Sequence, residues 1–472
     1  MFSATEISLP QLRDGIHEAL KLWSKPNDDT SPLDHLYLFQ QVRQSHSGNV
    51  RRLTNDLLLH SLKIMEDQYD PFLADLLRQR FLENSSVALV AIEKNIAEAT
   101  VHKKQRQAID QLADILAKQE HQARHATIAA LEQRLNLPVA IDLFGIEPYL
   151  KQVSEALLVP GPAWLVAIEG LGGIGKTTLA GTVVRQVALT HHFQQVVWIS
   201  AKQQEFWPGL GLQPTAQPAL DSDTLTNTLL AQLDEDLAGT LSPQQKLIRL
   251  TELLKAEPYL VIIDNLETVV DFEALLPLLS RLANPTKFLL TSRMMPPHSG
   301  VTSIRLAELS RDDAFNLLRY EAELRHMKSL TESSDEQLDS IYRVVGGHPL
   351  ALKLVVGQLH SLPLSQVLDS LRQAHGKKVD ELYTFIYWQA WHTLAENSRK
   401  LLLIMPVVQN GTIEQLNTIS QLAGGDLHDS LEQLITLSLL EISGALDQRR
   451  YRIHRLTETF LLNEVVKWRK SP

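Results

Sequence analysis

The chain of 472 residues contains no cysteine. Disulfides, thiolate metal sites and a cysteine nucleophile are therefore excluded from the outset. No apolar run approaches the roughly 18 residues that a membrane-spanning helix needs. The opening Met-Phe-Ser-Ala-Thr-Glu-Ile-Ser lacks the charged and then apolar order of a signal peptide. The expected location is cytoplasmic, with no membrane partner. Positive charge is also in short supply: 45 Lys and Arg stand against 55 Asp and Glu, a formal net charge of −10. That balance argues against attraction of the whole surface to nucleic acid or anionic lipid and leaves only a local basic face for such a role. No internal repeat is evident at a period of about 20–50 residues. No small-substrate constellation such as G-x-S-x-G appears, which weighs against a metabolic enzyme.

What is present begins with an ordinary apolar fraction, 44%, in a chain too long for one core, since cores rarely grow past about 250–300 residues. Three or four domains are expected. Residues 164–181 carry the strongest local signal. The apolar run Trp164-Leu165-Val166-Ala167-Ile168-Glu169 ends in Gly170-Leu171-Gly172-Gly173-Ile174-Gly175-Lys176-Thr177-Thr178, and a helical pattern follows. Gly170, four residues, Gly175, Lys176 and Thr177 fit G-x-x-x-x-G-K-[ST], with the strand before and the helix after that this phosphate-binding loop requires. The glycines let backbone N–H groups turn inward around an anion, and the helix adds the positive end of its dipole. Lys176 is placed to reach the β- and γ-phosphates and Thr177 to hold Mg²⁺.

Short apolar strands separated by helices follow: 195–200, 259–264 and 287–293, with a last strand at 303–306. This alternation predicts a parallel sheet covered on both faces. A Pro- and Gly-rich loop is expected at about 207–218. Asp264 ends its strand where an acid can hold Mg²⁺ or its water shell. Arg293 ends the next strand, where a guanidinium can meet the γ-phosphate. Beyond 306 the pattern is helical and includes Gly346-Gly347-His348-Pro349-Leu350-Ala351, a Gly-Gly turn with a proline opening a helix. The last hundred residues read as helices followed by strands at 439–443 and 450–454, the outline of a winged helix.

Residues 10–135 read as helices throughout. Within them, a helix ending near Asn84, a short one carrying Val87, Val90 and Ala91, a turn at Asn95 and a helix starting near Glu98 have the order of a helix-turn-helix. This segment resembles the fourth region of bacterial sigma factors, with Thr100 to Gln107 in the place of the recognition helix. DNA contact there would fall to Lys103, Lys104, Gln105, Arg106 and Gln107. Between 99 and 134, however, six basic residues stand against four acidic ones, a thin excess for neutralising several phosphates. Protein contact is the favoured reading, with DNA through 98–116 as the alternative. His121 and His125, four apart, could chelate a metal. No third ligand lies nearby, and a solvated helix face is the preferred reading.

Taken together, the Gly170–Leu179 loop, the Asp264 strand, Thr291-Ser292-Arg293, Gly347-His348-Pro349-Leu350-Ala351 and Ile453-His454-Arg455-Leu456 resemble the NB-ARC branch of the STAND P-loop ATPases, in a bacterial-type member. The resemblance spans about 140–470. It implies a multidomain α/β plus α architecture: an N-terminal helical domain (1–136, with the helix-turn-helix at about 72–116), a P-loop domain (137–306), a small helical domain (307–375) and a winged-helix domain (376–472). It also implies ATP or ADP with Mg²⁺ as ligands. Gly145 and Glu147 keep the adenine-side motif, with Ile146 in its arginine place. Pro349 would pack on the adenine. His454 would hydrogen-bond the β-phosphate of ADP, although Arg455 stands where plant members have aspartate.

Many relatives carry a second acid after the metal-binding one, where this chain has Asn265. An amide cannot take a proton from water. Glu267, two residues on, could substitute, and hydrolysis is expected to be slow at most. The implied function is a signalling switch, closed with ADP and self-associating with ATP. The alternative is a nucleotide-controlled transcription regulator. The repeat array that often senses the trigger in this family is not evident in the sequence, so either the N-terminal helices receive or pass on the signal, or a sensor or effector protein is an expected partner.

Overall fold

The computed structural model describes residues 8–465 apart from 26–29, 46–48, 136, 138–142, 202–203, 208–210, 215–219, 234–240, 267–268, 293–299, 361, 374–386, 389, 393, 409, 438, 444–448, 454 and 462–464. The chain divides into two compact units, 1–137 with 185–192, and 138–184 with 193–472. No helix among the described residues is long and apolar enough to cross a membrane.

The first unit is helical: α1 (Leu9–Lys21), α2 (Tyr37–Ser45), α3 (Val50–Gln68), α4 (Pro71–Leu77), α5 (Val87–Glu93) and α6 (Glu98–Leu135). Leu12, Ile16 and Leu20 of α1, Leu58 and Leu62 of α3 and Leu112 and Leu116 of α6 recur at four-residue intervals and meet in one core. One turn of π-helix (Arg78–Leu82) extends α4, and the chain then turns at Asn84 and Asn95, both with φ near +55 and +53°. Asn tolerates this left-handed conformation better than branched residues do. The helix boundaries expected around the α5 turn are therefore the ones observed.

A single buried acid organises the start of α2. Glu120 of α6 is fully buried and accepts from the amides of Tyr37 (2.8 Å) and Leu38 (2.9 Å) and from Arg124 Nε (2.7 Å). A carboxylate from a distant helix thus satisfies donors that α2 cannot bond internally. Glutamine offers one acceptor oxygen where two are used. Glu120→Gln is expected to cost about 1–3 kcal/mol, seen as a lower midpoint for thermal loss of helical circular dichroism. An unchanged midpoint would show that the cap contributes nothing.

The second unit begins with α7 (Glu147–Leu158) and a sheet formed by β1 (Leu165–Glu169), β2 (Val196–Ser200), β5 (Leu260–Leu266), β6 (Lys287–Ser292) and β7 (Val301–Arg305). The strands run parallel in the order β2-β5-β6-β1-β7. Alternate residues of both parities are buried, as in Val261 with Ile262 and Phe288 with Leu289, because helices cover both faces. The helices between strands are α8 (Lys176–Ala188), α9 (Ser222–Leu233), α10 (Pro243–Ala256) and α11 (Val269–Leu282). This is the α/β architecture expected of a P-loop domain. The stretch read as loop at about 207–218 instead carries a small antiparallel ribbon, β3 (Gln204–Trp207) with β4 (Gly211–Pro214). Two four-residue strands are too short to show a period in sequence.

Lys287 fixes α7 to the sheet. Its ammonium donates to the carbonyls of Ala156 (2.7 Å) and Val159 (2.9 Å) at the C-terminal end of α7 and lies 5.5 Å from the Trp164 ring. A cation at a helix C-terminus meets the negative end of the dipole, although burial lowers the pKa of this lysine.

The remainder is α12 (Arg311–Leu324), α13 (Lys328–Thr331), α14 (Asp335–Val345), α15 (Pro349–Leu359), α16 (Leu364–Gln373), helices Glu396–Val408, Ile413–Ser420 and Gly424–Thr436, and strands β8 (Asn410–Thr412), β9 (Leu440–Ser443) and β10 (Arg450–Ile453). One apolar cluster runs from Ala314 to Val465, so residues on both sides of the boundary expected at 375 share a core. The two expected terminal strands are paired, and β8 adds a third to give the order β8-β10-β9. Asn-Gly-Thr carries no apolar signal by which β8 could have been read.

Candidate functional site

The carboxyl ends of β1, β5 and β6 converge because the strands are parallel and in register, with Ile168 opposite Thr291 and Glu169 opposite Ser292. Past Glu169 the chain turns through Gly170, Gly173 and Gly175, all with positive φ (154, 77 and 107°), and α8 opens at Lys176. At Gly173 a side chain is excluded twice, by its φ and because a Cβ would lie 2.9 Å from Leu350 Cδ2 and 3.0 Å from His348 Cε1. Ile174 is buried beneath the loop, whereas Gly172, Gly175, Lys176, Thr177 and Thr178 are partly accessible. The Lys176 ammonium donates to the carbonyls of Gly170 and Leu171, both at 2.8 Å.

The strand interposed between β1 and β5 explains how the acid is held. Between Ile263 and Leu266 the β5–β6 register slips, and Asn265 takes φ +69°. The extra residue of this bulge bends the strand end. The Thr291 hydroxyl of β6 then accepts from the Asn265 amide (2.9 Å) and donates to Asp264 Oδ1 (2.5 Å). The Thr177 hydroxyl donates to the same oxygen at 2.9 Å. Asn265 Nδ2 donates to Asp264 Oδ2 at 3.1 Å and makes a longer contact, 3.4 Å, with Ser200 Oγ. Asp264 is buried and accepts from at least three side chains among the described residues, Thr177, Thr291 and Asn265. Asn265, expected only to replace a second acid, holds the first one in place.

The proline-led turn lies against the phosphate loop. His348 is fully buried at the N-cap of α15, and its Nδ1 accepts from the Ala351 amide at 3.4 Å. Nε2 is 2.8 Å from the Gly172 carbonyl. Pro349 follows as the first residue of α15 and is partly accessible. Glu308 accepts from the Gly347 amide (3.1 Å), and the Leu309 amide donates to the Gly347 carbonyl (2.8 Å). The link from β7 to α12 therefore clamps the Gly-Gly turn. Gly145 (φ +65°) closes on the same helix, since a Cβ there would lie 2.7 Å from Asp313 Oδ2, and Phe144 meets Tyr320 edge-on at 5.6 Å.

The sequence-derived residues thus separate into two groups. Gly170 to Thr178, Asp264, Asn265, Pro349 and Gly145 belong to connected neighbourhoods at one sheet edge, the α14–α15 turn and α12. Glu267, Arg293 and His454 lie outside the described residues. Thr291, His348 and Glu308 were missed as site residues. Thr291 and His348 stood inside recognised motifs, but their hydrogen bonds are long-range and leave no local periodicity.

The oxygen set formed by the Thr177 hydroxyl and the Asp264 carboxylate suits a hard cation such as Mg²⁺. The Gly-rich turn and the start of α8 suit a polyphosphate. In the first unit, Lys103 and Arg106 are exposed, while Lys104 donates to Gln107 and Gln105 accepts from Arg80. The His121 and His125 rings are 4.5 Å apart, and no group of three His, Asp or Glu able to hold a metal occurs among the described residues.

Residues 146–328 match the NB-ARC domain. Among known proteins, the disease resistance protein RPP8 of Arabidopsis thaliana is 30% identical over 251 residues, 49% of this chain and 25% of that protein. Disease resistance RPP8-like protein 3 of the same plant is 27% identical over 226 residues, covering 46% of this chain and 23% of its own length. The chain thus spans about a quarter of the length of these relatives. Among solved structures, a signal transduction ATPase with numerous domains and a tetratricopeptide repeat sensor from Pyrococcus horikoshii aligns over 70% of this chain and 43% of its own, at 20% identity and a TM-score of 0.46. The segment 146–328, which carries the phosphate loop, is thus similar to an NB-ARC domain, and this similarity supports nucleotide binding by that segment.

The phosphate loop makes its lysine testable. A hydrogen bond to a charged group is worth about 1.5–3 kcal/mol, or about tenfold to a hundredfold in affinity. Lys176→Ala is expected to weaken ADP binding by at least about tenfold in equilibrium dialysis. Wild-type affinity would contradict the assignment of this loop.

Proposed function

We propose that the protein is a nucleotide-operated signalling switch, with a closed ADP form, an ATP form that self-associates, and slow hydrolysis at most. The observation that carries this reading is the direct contact of the α15 turn with the phosphate loop through His348 and Gly172. A helical module bonded to the loop that holds the phosphates is bound to respond when those phosphates change. Thr177 and Asp264 would hold Mg²⁺, which supplies charge neutralisation at the β- and γ-phosphates. Lys176 would exchange its two carbonyl partners for phosphate oxygens. Pro349 and Gly145 would border the adenine.

On this reading Arg293 would meet the γ-phosphate and His454 the β-phosphate, while Glu267 would stand in for the missing second acid in taking a proton from water. Asn265 cannot serve as that base, because an amide has no basic site, and its Nδ2 is committed to Asp264. This supports exchange or slow turnover over rapid hydrolysis.

The switch must also be energetically adequate. Moving a two-state equilibrium from 1:99 to 99:1 needs about 5.5 kcal/mol of differential binding. One charged hydrogen bond supplies about 1.5–3 kcal/mol. The difference is therefore shared among Thr177, Asp264, Arg293, His454 and the packing of the helical modules, or supplied by a partner protein. Light scattering coupled to size exclusion is expected to give a monomer in ADP and a larger species in a non-hydrolysable ATP analogue. A monomer in both would count against the switch.

A further inference from the structure

We infer that His348 is a positioning residue for nucleotide binding, holding the Gly172–Gly173 peptide in the orientation that presents the Gly173 N–H to phosphate. The inference rests on the nucleotide-binding reading above and adds a residue to it. Its starting point is the tautomer. Nε2 faces a carbonyl oxygen at 2.8 Å, which can only accept, and Nδ1 faces the Ala351 amide at 3.4 Å, which can only donate, so Nδ1 carries no proton. The ring proton is then on Nε2, and Nε2 donates to the Gly172 carbonyl at 2.8 Å. The ring is fully buried, so no water competes for either bond.

The consequence follows from peptide geometry. In a trans peptide the C=O of one residue and the N–H of the next point to opposite sides. Tying the Gly172 carbonyl to α15 therefore sends the Gly173 N–H away from α15. A phosphate loop works by pointing N–H groups at the anion, and a flipped peptide would offer it a carbonyl oxygen instead. Flanked by two glycines, this peptide has little intrinsic barrier to such a flip. Gly173 already has φ +77°, and Leu350 and His348 leave no room for a side chain beside it. His348 thus restrains a peptide that its own chain leaves loose. By linkage, whatever draws α15 away loosens the nucleotide, and nucleotide binding holds α15 in place.

The two ring nitrogens can be separated by substitution. Asn places an acceptor near Nδ1 and is a strong N-cap, but it does not reach Gly172. Gln places a donor near Nε2 and loses the cap. The measurements are the release rate of a fluorescent ADP analogue, displaced by excess ADP with Mg²⁺, and the thermal midpoint without nucleotide. His348→Asn is expected to release the analogue on the order of tenfold faster. His348→Gln is expected to release it within about threefold of wild type despite a lower midpoint. Wild-type release from His348→Asn overturns the inference, as does equally fast release from both variants, which would trace the effect to the cap. If His348→Asn does not fold, His348→Gln decides alone: slow release supports the inference and fast release overturns it. A wild-type protein that binds neither ADP nor ATP would instead defeat the nucleotide reading itself.

Discussion

The carboxylate of Asp264 is the constraint on which the rest of the site depends. It is buried, and three elements converge on it: α8 through Thr177, β6 through Thr291 and the β5 bulge through Asn265. A buried carboxylate without donors would be costly, so the donors specify the local fold as much as they serve it. The strand order is compatible with the same requirement. With β6 between β1 and β5, the Thr291 hydroxyl bridges the Asn265 amide and the acid.

The second constraint couples this edge to the helices that follow. Glu308, Leu309 and His348 bind the Gly-Gly turn on one side and the phosphate loop on the other. Close packing at Gly173, against Leu350 and His348, means that the loop and the start of α15 cannot shift independently. A ligand that stabilises one arrangement of the loop therefore selects one arrangement of α15.

Much of this was legible in the residues. Apolar runs bounded by turns located β1, β2, β5 and β6 to within a few residues, because strands covered on both faces leave a nearly unbroken apolar signature, whereas the mostly accessible β7 followed from its place in the alternation. The phosphate loop was legible because its chemistry needs fixed residue types at fixed spacing. The β3–β4 ribbon and β8 were not, since strands of three or four residues have too few side chains to show a period. The Thr291–Asp264 bond and the His348–Gly172 bond were also hidden. They join residues 27 and 176 positions apart, and a sequence records which polar groups exist but not which will meet. Asn265 illustrates the same limit: its residue type announced the loss of a base, whereas its role as a donor to Asp264 needed the bulge to be visible.

The account requires that the hydroxyl and carboxylate at the head of α8 and the end of β5 form a site for a metal-bound nucleotide. Isothermal titration of ATP into nucleotide-stripped protein, with Mg²⁺ and then with a chelator, tests this most directly. One nucleotide per chain, bound markedly more tightly with Mg²⁺, is the expected result. No binding under either condition, or an affinity indifferent to Mg²⁺, would contradict it.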